Sequence, residues 1–137
     1  MDVIKLVVAA ELLLIIAFAA TLIYLYMFYR KNNDIVNFLY ACLIRAGYMD
    51  SEDESFYKNL GFFGFSFRVS TLKMILNGNV FKSSKDRYFD ADATNLLISK
   101  TNGNYAWIKS YYNIFKVQAV IATLLIILTY ASDCLMV

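Results

Sequence analysis

The sequence predicts an all-α integral membrane protein, in which two transmembrane helices form a hairpin around a small helical cytoplasmic domain. Three observations lead to this prediction. Of the 137 residues, 60% are hydrophobic, which exceeds the share in a typical water-soluble domain. These residues are concentrated in two apolar blocks near the ends of the chain, of which the first, residues 6–29, carries one charge, Glu11. The segment between the blocks holds 12 of the 13 basic residues and lacks the alternating pattern of strands.

The first predicted transmembrane helix occupies residues 1–29. Residues 12–29 form an uncharged run of 18 residues, close to the roughly 20 that cross the hydrocarbon core of a bilayer as a helix. Ala17, Phe18 and Ala19 also resemble a signal-peptide cleavage site. The apolar run continues for ten residues beyond Ala19 and is followed by a basic pair. We therefore expect a retained span.

The second predicted transmembrane helix occupies residues 114–137. Its core, residues 117–132, is an uncharged run of 16 residues, and Lys116 can extend toward the headgroups at its start. Amphipathic aromatic side chains favour the membrane–water interface. Such side chains end the first span and precede the second: Tyr24, Tyr26, Phe28, Tyr29, Trp107, Tyr111 and Tyr112.

The charges beside the spans predict the orientation of the chain. Arg30, Lys31, Lys109 and Lys116 flank the middle segment, against Asp34. The positive-inside rule therefore places residues 30–113 in the cytoplasm and both termini on the non-cytoplasmic side of the inner membrane. Because Cys42 and Cys134 would then lie on opposite sides of the bilayer, no disulfide within the chain is expected.

Helix signals divide the cytoplasmic segment. Asn32, Asn33 and Asp34 predict either the N-cap of a helix that ends near Gly47 or a continuation of the first span. Ser51 and Glu54 predict a capping box at the start of a short helix through Leu60. The acidic residues 50–54 also raise the alternative of a calcium loop, although no EF-hand spacing follows them.

Two further helices are predicted in the same segment. One follows Ser70 and ends at Asn77 and Gly78. The next begins near Ser84, includes Tyr88 and Phe89, and ends around Asn102 and Gly103.

Residues 61–67 hold four phenylalanines, two between Gly61 and Gly64 and two after Gly64: Phe62, Phe63, Phe65 and Phe67. Such a segment is not expected to face water. We expect these rings to pack into the core of the small cytoplasmic domain. The alternative is that they contact the inner membrane interface or a protein partner.

Missing residue types and motifs predict that the protein is not an enzyme and uses no cofactor or metal. The chain has no His, which is the commonest general base and metal ligand. It contains no phosphate-binding glycine loop and no nucleophile motif. A formal net charge of only +2 gives no reason to expect a nucleic-acid partner.

Glu11 is the ionisable residue inside the first apolar block, and intramembrane carboxylates are costly enough to count as functional candidates. In an antiparallel hairpin Glu11 lies near the depth of Thr129, which predicts a helix-pairing hydrogen bond between them or with a partner subunit. The alternatives are that Glu11 reaches the outer interface, or that it serves an ion pathway. Several polar residues in the spans are also expected to need partners, which favours an oligomer: Thr21, Gln118, Thr123 and Thr129.

The order of these segments resembles the universal stress protein B-like family of small two-span bacterial membrane proteins. The resemblance rests on residues 57–61 (YKNLG), 72–78 (LKMILNG) and 85–86 (KD), placed between two spans. It implies a membrane location, a link to stress physiology and a non-enzymatic role, and it supplies no functional residues.

These observations predict a protein that acts in the lipid bilayer through protein–protein contacts, as a homo-oligomer or an accessory subunit of a membrane complex. A first alternative is an immunity protein that binds and neutralises a membrane-acting protein toxin. A second is a small channel or transporter subunit that uses Glu11.

Overall fold

The computed structural model describes residues 2–83 and 86–137, and most of them are helical. In chain order the elements are α1 (Asp2–Arg45), α2 (Ser51–Asn59), α3 (Phe62–Leu76), β1 (Phe81–Lys82), β2 (Tyr88–Phe89), α4 (Ala91–Thr101) and α5 (Ala106–Met136). They divide into two compact units. Unit 1 contains the described part of residues 1–27 together with residues 113–137, and unit 2 contains residues 28–112.

Two of the helices, α1 and α5, are long and apolar enough to cross a membrane. They contain 44 and 31 residues, so at about 1.5 Å per residue each is longer than the thickness of the hydrocarbon core. None of the most apolar 18 residues of either helix is buried inside the protein. The core helix of a water-soluble protein would instead be mostly buried. The prediction of a mostly helical chain with two apolar helices of spanning length is confirmed.

Helix α1 continues without a break through the predicted N-cap at residues 32–34. That cap is wrong, and the alternative of a continuous helix is confirmed. The side-chain amide of Asn32 donates to the carbonyl oxygen of Phe28 at 3.1 Å, one turn back in the same helix. Helix α1 ends at Arg45, and Gly47 follows with a φ of 83°. This left-handed residue after the last turn is the predicted glycine stop.

The core of unit 2 is built from apolar residues at helical spacing. Four helices contribute residues that are almost inaccessible to solvent: Val36, Leu39 and Leu43 from α1; Phe65, Val69, Leu72 and Ile75 from α3; Ala93 and Leu97 from α4; Ile108 and Tyr111 from α5. The spacing of three to four residues within each set places its side chains on one face of the helix.

Helices α2 and α3 form an antiparallel hairpin around Gly61. Gly61 has a φ of 57°, which favours glycine at the turn. Three residues later, a methyl group on Gly64 would overlap the carbonyl oxygen of Tyr57. The two helices therefore approach each other at a point where only glycine fits.

The predicted capping box of α2 is wrong. The N-cap is Asp50, and its side chain makes no capping hydrogen bond. The Glu54 carboxylate, which the capping box would turn back to the helix start, instead forms an ion pair with Arg68 of α3 at 2.9 Å. A buried cation is a stronger partner for a carboxylate than a backbone N–H at an exposed helix start.

Helix α3 begins at Phe62, eight residues before the predicted cap at Ser70. The aromatic residues 62–67 are therefore its first turns. The predicted end is confirmed, because α3 ends at Leu76 and Gly78 follows with a φ of 79°.

A two-residue strand pair replaces part of the predicted fourth helix. Phe81 pairs with Phe89 and Lys82 pairs with Tyr88 in an antiparallel register. Placing Tyr88 and Phe89 in a helix was therefore wrong, and the predicted start at Ser84 lies outside the described residues. Aromatic side chains suit a paired strand as well as a helix.

Helix α4 begins at Ala91 because Asp90 caps it. Asp90 Oδ1 accepts hydrogen bonds from the backbone N–H groups of Asp92 at 3.0 Å and Ala93 at 3.3 Å. The predicted end is confirmed, since Asn102 and Gly103 follow the last turn with φ values of 52° and 75°.

Candidate functional site

Glu11 lies beside a small cavity in unit 1. The cavity has a volume of about 70 Å³ and is lined by residues from the first turns of α1 and the last turns of α5: Ile4, Val7, Val8, Glu11, Ser132, Leu135 and Met136. All of these side chains except Glu11 and Ser132 are apolar. A carboxyl group therefore faces a mainly apolar space.

The Glu11 carboxyl is incompletely satisfied in this setting. Its Oε1 atom is buried and has no hydrogen-bond partner in the part of the chain that the structure describes. A buried polar atom without a partner costs about 1–3 kcal/mol, and more when it carries charge. Protonated, the group can donate one hydrogen bond and accept others. Chemically, it can form a polar contact with a further molecule.

The threonines of the apolar helices are bonded within their own helices. The Thr129 hydroxyl donates to the carbonyl oxygen of Leu125 at 2.8 Å. The same pattern occurs at Thr21 and Thr123, whose hydroxyls donate to carbonyl oxygens three and four residues back. The expectation that these hydroxyls need partners elsewhere is wrong, because the helix backbone already accepts their protons. The predicted helix-pairing role of Glu11 with Thr129 stays a prediction.

The four phenylalanines of residues 62–67 do not share one environment. Phe65 is fully buried, and its ring makes edge contacts with Tyr29 and Tyr111, each at 5.2 Å between centroids. Phe62 is half-buried and contacts Tyr29 at 5.8 Å. These two follow the expectation that the rings pack into the core.

Phe63 and Phe67 are 77% and 61% exposed, so the core expectation is wrong for them. The physical reason is helical geometry. Residues two positions apart in a helix point about 200° apart, so Phe63 and Phe67 lie opposite Phe65. The same geometry places Phe63 and Phe67, four residues apart, on one face of α3.

Exposed apolar side chains of α2 and of the hairpin turn lie near this face. Tyr57 contacts both Phe56 and Phe67, with ring centroids 5.2 and 5.6 Å apart, and Leu60 follows at the hairpin turn. All of these side chains are exposed. We call the surface the hairpin-tip patch and define it as Phe56, Tyr57, Leu60, Phe63 and Phe67. Single exposed apolar side chains are ordinary, but a contiguous group indicates a contact surface.

A buried polar cluster, which the sequence did not predict, is centred on Arg68, and this residue is 2% exposed. Its Nη2 atom donates to Glu54 Oε1 at 2.9 Å and to Asn37 Oδ1 at 2.6 Å. The guanidinium lies over the Tyr40 ring, 4.9 Å from the centroid. The cluster joins α1, α2 and α3. The available signal was a cation, Arg68, directly after the aromatic residues 62–67.

Burial controls the protonation of this cluster. It raises the pKa of the Tyr40 hydroxyl well above its usual range, partly offset by Thr71 and the positive charge of Arg68. Burial also lowers the pKa of Arg68, and the Glu54 carboxylate opposes that shift. The Tyr40 hydroxyl therefore stays neutral at neutral pH, beside the Arg68–Glu54 ion pair. The geometry of the cluster serves to position α2 and α3 on α1.

Arg87 is a second cation with defined contacts, and it lies at the C-terminal end of α1. Arg87 Nη1 donates to the carbonyl oxygen of Ala46 at 2.7 Å, and its guanidinium lies 4.1 Å from the centroid of the Tyr48 ring. Burial, followed by the charge of Asp90, raises the pKa of Tyr48. Arg87 thus occupies the helix C-terminus, where a cation is favourable.

Other reactive groups are few among residues 2–83 and 86–137. No cluster of three or more His, Cys, Asp or Glu side chains that could hold a metal ion occurs in this part of the chain. Cys42 is a buried free thiol and Cys134 is an exposed free thiol.

Comparison of the chain with protein-family models, curated proteins and solved structures gives no match. The resemblance to the universal stress protein B-like family therefore stays a prediction.

Proposed function

We propose that this chain is a non-enzymatic two-span protein of the bacterial inner membrane that acts by binding another membrane-embedded helix. That helix belongs to a second copy of the chain or to a subunit of a larger complex. Helices α1 and α5 supply the spans. The basic residues Arg30, Lys31, Lys109 and Lys116 favour a cytoplasmic position for unit 2 and an outer position for both termini.

The observation that supports this proposal is the state of Glu11. Its Oε1 atom is buried without a hydrogen-bond partner among the described residues, and it faces the cavity between residues of α1 and α5. An ionised side chain deep in a span costs about 3 kcal/mol by insertion scales. A donor or acceptor from a neighbouring helix would offset that cost, which favours association.

The resemblance stated above adds a link to stress physiology. It also agrees with a role exercised through contacts rather than through catalysis. The partner's identity separates the remaining alternatives: a subunit of a membrane assembly supports an accessory role, and a membrane-acting toxin supports an immunity role.

The test is purification of the tagged full chain from native membranes in mild detergent. The mass of the particle and the identity of any bound protein are then measured. Three variants accompany the wild type: Glu11→Leu removes the polar group, Glu11→Gln keeps an amide that donates and accepts, and Asp133→Leu removes an exposed carboxylate near the end of α5.

We expect the wild type, Glu11→Gln and Asp133→Leu to be recovered as a complex of defined composition. We expect Glu11→Leu to associate roughly 3- to 30-fold more weakly, which corresponds to an intramembrane hydrogen bond of about 0.6–2 kcal/mol. Recovery of the wild type as a monomer with no bound protein would contradict the proposal. So would unchanged association of Glu11→Leu.

A further inference from the structure

The start of α3 contacts aromatic residues that flank both apolar stretches in the sequence. Tyr29 is the last residue of the first apolar run, and its ring contacts Phe62 and Phe65. Tyr111 comes shortly before the second apolar run, and its ring contacts Phe65 at 5.2 Å and Phe28 at 6.0 Å. The Tyr111 and Ser66 hydroxyls are also 2.6 Å apart. Two independent sets of contacts thus place the first turn of α3 beside Tyr29 and Tyr111, the aromatic residues that flank the two apolar runs in the sequence.

The rest of α3 extends away from that level. Arg68 lies about one turn beyond Phe65. Its side chain contacts Asn37, and its backbone carbonyl oxygen accepts a hydrogen bond from the Tyr40 hydroxyl. Asn37 is eight residues past Tyr29 in α1, which is about 12 Å along the helix. Helix α3 therefore runs beside α1 in the same direction, and α2 runs back along it. The turn of the α2–α3 hairpin therefore lies at the end of unit 2 that contains Tyr29.

The hairpin-tip patch is carried by this end of the hairpin. Leu60 directly precedes Gly61 at the turn and Phe63 follows it by two residues; they are 43% and 77% exposed. Phe56 and Phe67 lie about one turn farther from it on α2 and α3. The apolar side chains of the patch therefore lie at about the same height along α1 as Tyr29.

Exposed basic residues occupy the same level. Arg30 and Lys31 directly follow Tyr29 in α1, and Lys58 lies in the last turn of α2, two residues before Leu60. Apolar side chains with basic neighbours are the composition of segments that lie in the headgroup region of anionic bilayers.

We propose that the hairpin-tip patch docks onto the anionic bilayer surface at which α1 leaves the membrane. Leu60 and Phe63 enter the boundary between headgroups and acyl chains, and Lys58 contacts anionic headgroups. The inference rests on the two-span placement proposed above and adds a third membrane contact to it. A lipid surface is the occupant because the level of Tyr29 and Tyr111 puts the patch beside it and because the basic neighbours complement its charge.

The test uses tryptophan as a reporter of lipid contact. The full chain carries Trp107→Phe and one introduced tryptophan, and it is reconstituted in vesicles of phosphatidylethanolamine and phosphatidylglycerol. Lipids brominated along their acyl chains quench tryptophans that touch them. The reporters are Phe63→Trp and Leu60→Trp in the patch. The matched control is Val80→Trp, at an exposed apolar residue beyond the distal end of α3.

A third position keeps the two proposals distinguishable. Ile16→Trp, inside the first apolar run, reports whether α1 crosses the bilayer. Folding of each variant is verified by the low reactivity of the buried Cys42 thiol toward a maleimide, with the exposed Cys134 as the internal reference.

We expect Phe63→Trp and Leu60→Trp to be quenched at least about twice as strongly as Val80→Trp, most of all by bromine near the headgroup end of the chain. We expect Ile16→Trp to be quenched most by bromine near the bilayer centre. If Ile16→Trp is quenched while Phe63→Trp and Leu60→Trp behave like Val80→Trp, lipid docking is wrong and the spans stand.

Two other outcomes also decide the question. If Ile16→Trp is not quenched, both the spans and the docking are wrong. If Phe63→Trp emits at short wavelength without quenching by brominated lipid, another protein or a second copy covers the patch. Lipid docking is then overturned as well.

Discussion

The Tyr40 hydroxyl donates a hydrogen bond to the carbonyl oxygen of Arg68 at 3.1 Å, while the Arg68 guanidinium lies over the Tyr40 ring. Tyr40 thus uses both its hydroxyl and its ring in this contact, and Arg68 uses both its backbone carbonyl and its guanidinium. The pair connects the backbone of α3 to a side chain of α1 inside unit 2. Because Arg68 also pairs with Glu54, one side chain joins three helices.

Replacing Arg68 by Met is expected to destabilise unit 2 by about 3 kcal/mol, because it leaves the largely buried Glu54 carboxylate without its cation. The double variant Arg68→Met, Glu54→Gln should recover part of this loss, since no charge is then left unpaired. Unfolding of the full chain in detergent micelles, followed by Trp107 fluorescence, measures both changes.

The matched control for this prediction is Lys82→Met, which breaks the exposed ion pair between Lys82 and Asp86 at 2.7 Å. Exposed pairs contribute little, so the change should be below about 0.5 kcal/mol. Equal losses for Arg68→Met and Lys82→Met would show that the buried pair is not important for stability.

The raised pKa of Tyr40 predicts a loss of stability at alkaline pH. Because burial raises this pKa in the folded protein, the folded chain keeps the proton at pH values where the unfolded chain releases it. The stabilisation is fully present below about pH 10 and decreases as pH rises toward the folded pKa, by up to about 1.4 kcal/mol per pH unit. Denaturant unfolding between neutral pH and pH 11 measures the slope.

Tyr40→Phe should reduce the slope of the unfolding free energy against alkaline pH by the contribution of one proton. It also removes the hydrogen bond to Arg68. Tyr48, whose pKa burial also raises, accounts for part of the slope that remains. An identical slope in Tyr40→Phe and wild type would contradict the assignment to Tyr40.

Gly64→Ala is expected to destabilise the α2–α3 hairpin by about 1–3 kcal/mol, because the added methyl group overlaps the backbone carbonyl of Tyr57. Gly103→Ala is the control: its φ of 75° also disfavours a side chain, but nothing lies within 4 Å of the added carbon. Strain at that φ costs about 1–2 kcal/mol. The reactivity of the Cys42 thiol toward a maleimide distinguishes the two variants. It should rise in Gly64→Ala and not in Gly103→Ala, since only Gly64→Ala should loosen the packing of unit 2.

Phe65→Ala and Phe67→Ala should differ strongly in stability. Removing the buried Phe65 ring is expected to cost about 3–5 kcal/mol. Removing the exposed Phe67 ring should cost less than about 1 kcal/mol. Comparable losses in thermal or denaturant unfolding would mean that the division of the aromatic segment into buried and exposed rings is wrong.

Sequence patterns were sufficient for features that depend on local composition. Runs of apolar residues long enough to span a bilayer appear directly in the chain, and α1 and α5 contain them. The helix ends at Gly47, Gly78 and Gly103 were also predictable, because each glycine takes a positive φ after the last turn. Glu11 was recognisable as an ionisable residue inside an apolar run, although the cavity beside it was not.

Features that depend on tertiary structure were not predictable in the same way. Arg68 meets Asn37 and Glu54, which are 31 and 14 residues away in the chain, so no local spacing reveals the cluster. Ser84 and Asp90 are both good capping residues, and the short strands between them are too brief to show an alternating pattern.

Helix α3 has apolar side chains on almost every side of its first turns, among them Phe62, Phe63, Phe65 and Phe67. Turning such a helix about its long axis would exchange one buried ring for another, but it would also expose Val69, Leu72 and Ile75, which are buried on the same face as Phe65. The contacts of Arg68 with Glu54 and Asn37 likewise fit a single rotation angle. We therefore expect this cation and the buried apolar face together to select which phenylalanines point outward.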